Sequence, residues 1–304
     1  QWNLMVERQV FADWLVRVGY FGNKGTHFYG NGSGPDRPAN AAIYIPDQST
    51  LANIQARRPY QNFTNVGIID SGNNTHYNSL QLSTEKRFAH GLSVVANYTF
   101  AKRLDDVGWT NPFNRRFDYA IADDDVTHVF HFSEVYQLPG VKRGGAVGKL
   151  LNGWSVNSIV IWQGGFPMSV TSGRDNALVG STGNGNRADF LGGDPDLGNS
   201  GRAHAEMITR FFDTSKFVQN AMGTFGNSGR NILRGPRYFN TDLSVMKDTR
   251  LAERATFQFR AEFFNVFNNA NFNNPNTTVT SPNFGRITAA QSPRILQFGA
   301  KILF

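Results

Sequence analysis

The sequence contains no cysteine, which excludes a disulfide framework, a thiolate metal site and a thiol nucleophile. No apolar run approaches the roughly 20 residues that a membrane-crossing helix needs. Charged residues make up 17% of the 304 positions, below the roughly 25% usual in soluble domains. The net charge is +7, but Lys and Arg stand singly along the chain. A nucleic-acid surface needs a basic patch, so no nucleic-acid partner is expected. No signal peptide is visible and the first residue is Gln1, so the chain reads as a fragment or a mature product.

Catalytic signatures are equally scarce. His27, His76, His90, His128, His131 and His204 form no HExxH or other zinc spacing. There is no Gly-x-Ser-x-Gly elbow. His76 and His204 fall in long connections, and no partner can be assigned to either. His128 and His131 lie three apart near one strand end, which puts them on opposite faces. Asp123-Asp124-Asp125 reads as a solvated loop end rather than a calcium site. Asp194 and Asp196 lack the remaining ligands of a calcium loop. Gly180 to Asn186 lacks the Lys-Ser/Thr ending of a phosphate loop. Neither a cofactor, nor a metal, nor an enzymatic activity is expected.

Aromatic residues and glycine are plentiful, with 26 Phe, 9 Tyr, 5 Trp and 31 Gly. They recur in runs that alternate apolar and polar, the period of a strand with two unlike faces. The cleanest run puts Ala255, Phe257, Phe259, Ala261 and Phe263 on one face, and Thr256, Gln258, Arg260 and Glu262 on the other. At about nine residues it is long enough to cross a bilayer as a tilted strand. The closing run puts Leu296, Phe298, Ala300, Ile302 and Phe304 on one face, opposite Gln297, Gly299 and Lys301. Similar runs begin near Trp2, Trp14, Leu80, Leu92, Val126, Trp154 and Tyr238. The run from Trp154 is less clean, because Ile159 and Ile161 oppose Trp154, Val156, Val160 and Trp162.

These runs make nine strands, and their connections alternate in length. Short links span Gln9 to Asp13, Arg87 to Gly91, Pro139 to Gly153 and Asp248 to Arg254. Long links span Thr26 to Asn78, Arg103 to Asp125, Phe166 to Arg237 and Asn265 to Pro293. Outer-membrane barrels sort their connections in this way, with short periplasmic turns and long outer loops. A mean hydropathy of −0.38 is compatible, because alternating strands average out. Bacterial barrels usually have an even strand number, so nine suggests missing strands. The fold expected is all-β, an antiparallel transmembrane barrel seen through its nine C-terminal strands. The competing reading, a soluble carbohydrate-binding β-sandwich, would bury the aromatic face against a second sheet. It gives no reason for connections sorted by parity.

Several stretches resemble the TonB-dependent transporters of the Oar-like group, which carry a carboxypeptidase-regulatory-like domain. They are Tyr98-Thr99-Phe100-Ala101-Lys102, Leu151-Asn152-Gly153-Trp154, Asn227 to Pro236 with Asp242-Leu243-Ser244, Phe257 to Asn268, Ser281 to Ile287, and Gln297-Phe298-Gly299. The resemblance implies a 22-stranded barrel with a plug in its lumen, of which residues 1–304 form the C-terminal portion. Plug, TonB box and N-terminal domain are not found in this chain. It implies a bacterial outer-membrane location and lipid contact. It also implies an inner-membrane TonB complex acting through the missing N-terminal region. The last strand is similar to the signal read by the barrel-assembly machinery, with Phe304 as its key residue.

On that reading Thr256, Gln258, Arg260 and Glu262 face the lumen as a structural polar lining, and the alternative is that Arg260 and Glu262 pair with plug residues or with each other. An unidentified bulky solute, such as a glycan, peptide or chelate, meets the long loops. Tyr29, Tyr44, Tyr60 and Arg174 are the candidate contacts, and nothing in the sequence selects among them. A barrel serving adhesion or surface organisation is the alternative within the same fold.

Overall fold

The structure, a computed structural model, describes residues 1–28, 37–69, 71–180, 186–198 and 201–304. Alternation produces nine long strands: β1 (Trp2–Phe11), β2 (Trp14–Phe28), β3 (Asn73–Ala89), β4 (Leu92–Asp105), β5 (His128–Gln137), β6 (Trp154–Gln163), β7 (Tyr238–Arg250), β8 (Thr256–Phe264) and β9 (Ile295–Leu303). Each pairs antiparallel with the next in a single meandering sheet. A two-residue strand, Ala120–Ile121, also pairs with β4. Among the described residues, β1 pairs only with β2 and β9 only with β8, so the sheet is open at both edges.

Register turns alternation into two continuous walls. One row runs Val6, Val18, Leu82, Tyr98, Phe130, Trp162 and Phe239 across seven strands. A second runs Leu92, Tyr136, Val156, Val245, Ala261 and Phe298. The opposite wall carries Glu7, Arg17, Ser83, Asn97, His131, Ile161 and Asn240 in one row. Val6, Leu4 and Phe298 are 61%, 69% and 65% exposed. Among the described residues the remaining sheets are two-stranded pairs, and none covers the apolar wall. That excludes the sandwich, which would seal this wall.

Polar residues on the apolar wall are satisfied locally. Glu134 accepts from the Ser158 hydroxyl at 3.1 Å, its register partner. The Tyr98 hydroxyl lies 2.7 Å from His128 Nδ1, among Phe100 and Trp162. At the short-turn end, Lys86 turns its ammonium to Asp13 at 2.6 Å and to the Ala89 carbonyl at 3.0 Å. The Trp2 indole packs against Gly22, where an added Cβ would come 2.0 Å from it.

The core lies outside the sheet. Met168, Val170, Ala188, Phe211, Phe212, Phe217 and Leu233 from the β6–β7 connection pack with Ile287 from the β8–β9 connection. Phe212 is 2% exposed and meets Phe217 and Phe284 edge-on. Burying such a ring stabilises by about 1.5–3 kcal/mol.

The strands run further toward the long-loop end than their alternation indicates. β3 starts at Asn73, so His76 belongs to a strand and not to a long loop. β4 extends to Asp105. The link from Pro139 to Gly153 contains a helix, α1 (Gly145–Leu151), and His204 opens a second, α2 (His204–Thr209).

Candidate functional site

Two features converge at the long-loop end: the polar wall and an ion-paired cap of connections. On the wall, Arg17 Nε sits 2.5 Å from Glu7, and a second nitrogen lies 3.8 Å from Glu85. Thr256, Gln258, Arg260 and Glu262 stand on this face, opposite Leu303, Lys301, Gly299 and Gln297. Gln258 Nε2 donates to Asp248 at 2.9 Å, and Arg260 lies 3.7 Å from Glu262. Leu296, Phe298, Ala300 and Ile302 share the apolar face with Phe263, Ala261, Phe259 and Phe257. The Phe259 and Phe298 rings stack at 6.3 Å. Phe304 lies just past β9 and is 96% exposed.

The cap is built from arginines of the β6–β7 connection reaching aspartates of the β4–β5 connection. Arg230 lies 2.5 Å from Asp105 and 2.9 Å from Asp123, and donates to the Asp118 carbonyl at 3.1 Å. Arg234 lies 2.5 Å from Asp125, whose other oxygen accepts from the Arg103 backbone N–H at 2.6 Å. Arg187 stands 3.7 Å over the Phe117 ring and 3.6 Å from Asp118. Asn231 Nδ2 donates to the Ile121 carbonyl and to Asp123, each at 2.7 Å. The β2–β3 connection joins through Arg57, which donates to the Leu178 carbonyl at 2.8 Å, and Arg58, which donates to the Gly180 carbonyl at 3.2 Å.

Asp123 and Asp124 stand in solvent, 76% and 65% exposed, and only for Asp125 does the geometry correct the reading of Asp123-Asp124-Asp125 as a solvated loop end. Asp125 is buried, and each of the three holds an arginine. The paired charges set the electrostatics. Burial works to lower the Arg230 pKa, but its hydrogen bond to Asp105 and the charges of Asp105 and Asp123 outweigh that and leave it raised. For Arg187 burial dominates over Asp118, and the pKa is lowered. No group of His, Asp or Glu among the described residues is arranged to hold a metal ion. Asp194 and Asp196 instead accept backbone N–H groups two residues on, at 2.9 and 2.8 Å.

Beneath the cap, a cavity of about 510 Å³ opens on the polar wall, lined by Asn23, Tyr77, Thr99, Arg103, Asp124 and Val129. Its walls offer amide, hydroxyl and charged groups, chemistry suited to a polar solute. The sequence-derived loop contacts do not gather there as one cluster. Tyr44 is half-buried with its ring against Gly223, where an added Cβ would lie 2.3 Å from Cζ. Tyr60 is exposed, and its backbone is held by Asn40. Arg174 is exposed, and its carbonyl accepts from Asn186 N–H. Tyr29 and most of the Gly180 to Asn186 stretch lie outside the described residues.

Arg103, Arg187, Arg230 and Arg234 were not foreseen as a group. Arg230 and Arg234 do fall within the Asn227 to Pro236 stretch, but their partners lie more than a hundred residues away.

Residues 1–297 match a family model described as an outer membrane beta barrel domain. No curated protein matches the chain. Among solved structures, it overlays on the ferric-catecholate import receptor Fiu of Escherichia coli in its closed form, at 12% identity and a TM-score of 0.47. The overlay covers 99% of this chain and 27% of the receptor. The outer membrane transporter YddB of Escherichia coli overlays at 10% identity and a TM-score of 0.49, covering 99% of this chain and 32% of the transporter. BauA, the ferric preacinetobactin receptor of Acinetobacter baumannii, overlays at 8% identity and a TM-score of 0.40, over 99% of this chain and 36% of the receptor. The chain thus spans between 27% and 36% of the length of these three proteins.

Proposed function

This chain belongs to the outer membrane beta barrel domain family, and from that membership we propose that it is the C-terminal part of the barrel of a TonB-dependent receptor. The membership itself places it in the bacterial outer membrane. The barrel takes up a bulky polar solute, a glycan, peptide or chelate, by energised gating and without covalent chemistry. Residues 1–304 supply the last nine strands, and a plug and N-terminal domains belong to the rest of the protein.

The observation that carries this reading is the pairing of an exposed apolar wall with a polar wall across one open sheet. Only a closed set of strands satisfies the backbone in hydrocarbon, so the free edges of β1 and β9 require further strands. In this reading the apolar wall meets lipid, and Thr256, Gln258, Arg260 and Glu262 line the lumen. Tyr29, Tyr44, Tyr60 and Arg174 meet the solute outside. The barrel-assembly machinery reads β9 and Phe304, and the inner-membrane TonB complex acts through the N-terminal region.

Uptake by the full-length protein, measured with and without the energising complex, tests the proposal. Uptake that depends on the complex is expected, and energy-independent passage would overturn it. The ion-paired cap favours a second reading, a fixed outer surface for adhesion. Cell attachment at full strength in the absence of any energised uptake would select that reading.

A further inference from the structure

The connection from β5 to β6 is built unlike the other short turns. Residues 138–153 carry Lys142, Arg143 and Lys149, and no acidic residue occurs between Glu134 and Asp175. Their side chains make no hydrogen bond or ion pair among the described residues. Val147, Leu150 and Leu151 of α1 are 47%, 66% and 46% exposed. Cations and apolar side chains therefore share one small, uncovered surface.

The turn has a fixed shape and a fixed place. Asn152 closes its base, accepting from Val141 N–H at 2.6 Å and donating to the Val141 carbonyl at 3.2 Å. Gly148 lies under the Arg143 carbonyl, where an added Cβ would come within 1.9 Å. Trp154 Nε1 donates to the Leu150 carbonyl at 2.8 Å. Trp154 pairs with Lys247 and Lys247 with Phe259, so the indole stands on the apolar wall and ties α1 to it. Lys247, 5.7 Å from the Trp154 ring centroid, turns its ammonium to the Asp248 carbonyl and Thr249 hydroxyl at 3.0 Å. A lysine at the edge of hydrocarbon snorkels in this way. Trp154 and Lys247 thus mark the boundary of the apolar band, and α1 sits at it.

A cleft of about 590 Å³ separates this turn from the β7–β8 turn and is lined by Arg143, Lys149, Arg250, Asp248 and Glu253 among others. Asp248 is engaged by Gln258. Arg250 donates to the carbonyls of its own turn. Of the cations that line the cleft, Arg143 and Lys149 of the α1 turn are the uncommitted ones among the described residues.

We propose that the α1 turn docks an anionic phospholipid of the periplasmic leaflet. Val147, Leu150 and Leu151 enter the acyl boundary, and Lys142, Arg143 and Lys149 meet the headgroup phosphate. An interfacial segment gains from both buried apolar area and charge attraction to anionic lipid. The inference rests on the outer-membrane reading, which supplies the leaflet.

The test reconstitutes the full-length protein in nanodiscs of phosphatidylethanolamine and phosphatidylglycerol. Retained lipid is measured by native mass spectrometry for wild type and for Lys142→Gln/Arg143→Gln/Lys149→Gln. Wild type is expected to retain phosphatidylglycerol preferentially, and the variant to lose that preference by about tenfold with insertion unchanged. Leu150→Ser/Leu151→Ser is expected to weaken retention of both lipids. Equal retention by wild type and the charge variant overturns the inference and assigns the surface to a protein or cell-wall partner. A protein that does not insert in the nanodisc bilayer overturns the outer-membrane reading as well.

Discussion

Arg230 and Asp105 meet at 2.5 Å although 125 positions separate them in the sequence. Both side chains are nearly sealed from solvent, 9% and 6% exposed. Asp105 ends β4, whereas Arg230 precedes the two-residue strand Leu233–Arg234 that leads toward β7. Their contact fastens the longest connection to the sheet. Breaking a buried pair from one side costs about 3–5 kcal/mol, because the remaining charge is stranded. Arg230→Met is therefore expected to open the β4–β5 connection to hydrogen exchange and trypsin while the strands stay protected. Adding Asp105→Leu should restore part of the loss. Unchanged exchange in the single variant would show that the pair does not hold the cap.

Phe259 and Gln258 are neighbours on opposite walls, which makes them a matched test of the faces. An arginine facing lipid near mid-bilayer costs about 2–4 kcal/mol, whereas one facing water does not. Phe259→Arg should lower the folding free energy into vesicles by that amount, and Gln258→Arg by much less. Equal losses would reject the assignment of faces.

Phe298 stacks on Phe259, whereas Phe304 stands free beyond the last strand. On the proposed reading the barrel-assembly machinery recognises β9 together with Phe304. Phe304→Ala with Phe298→Ala should reduce inserted, heat-modifiable protein in cells without changing synthesis. Normal insertion of the pair would remove that role.

Acid should loosen the cap at Asp213. Its carboxylate accepts from the Ser215 hydroxyl at 2.7 Å and from the Arg210 guanidinium. Chiefly the Ser215 hydrogen bond, then that of Arg210, holds the pKa below its usual 3.8. A depressed folded-state pKa gives stabilisation that is complete above the unfolded value and lost as pH falls through the folded one. Backbone protection around Thr214 should drop as pH is lowered below about 4, and Asp213→Ala should remove the pH dependence. A profile that is the same in both proteins would exclude Asp213 as the cause.

The strands were legible because period-two alternation is a local signal, and Phe257 to Phe263 states it in one short run. Even the two intruders of β6 were legible: Ile159 and Ile161 do stand with the polar wall. The α1 helix was not, since Gly144, Gly145 and Gly148 disfavour helix locally and tertiary contacts hold it. The cap was hidden for another reason. An Arg–Asp pair leaves no periodic trace when its members are a hundred residues apart, and nothing in the run Asp123 to Asp125 sets the buried Asp125 apart from its two exposed neighbours. The loop contacts Tyr44, Tyr60 and Arg174 had no local signal to rank them.

The aromatic cluster around Phe212 draws on two connections and, among the described residues, takes nothing from the nine long strands. A barrel wall of this kind carries a miniature globule on its rim, with an interior of its own. Heating should melt rim and wall as separate cooperative units.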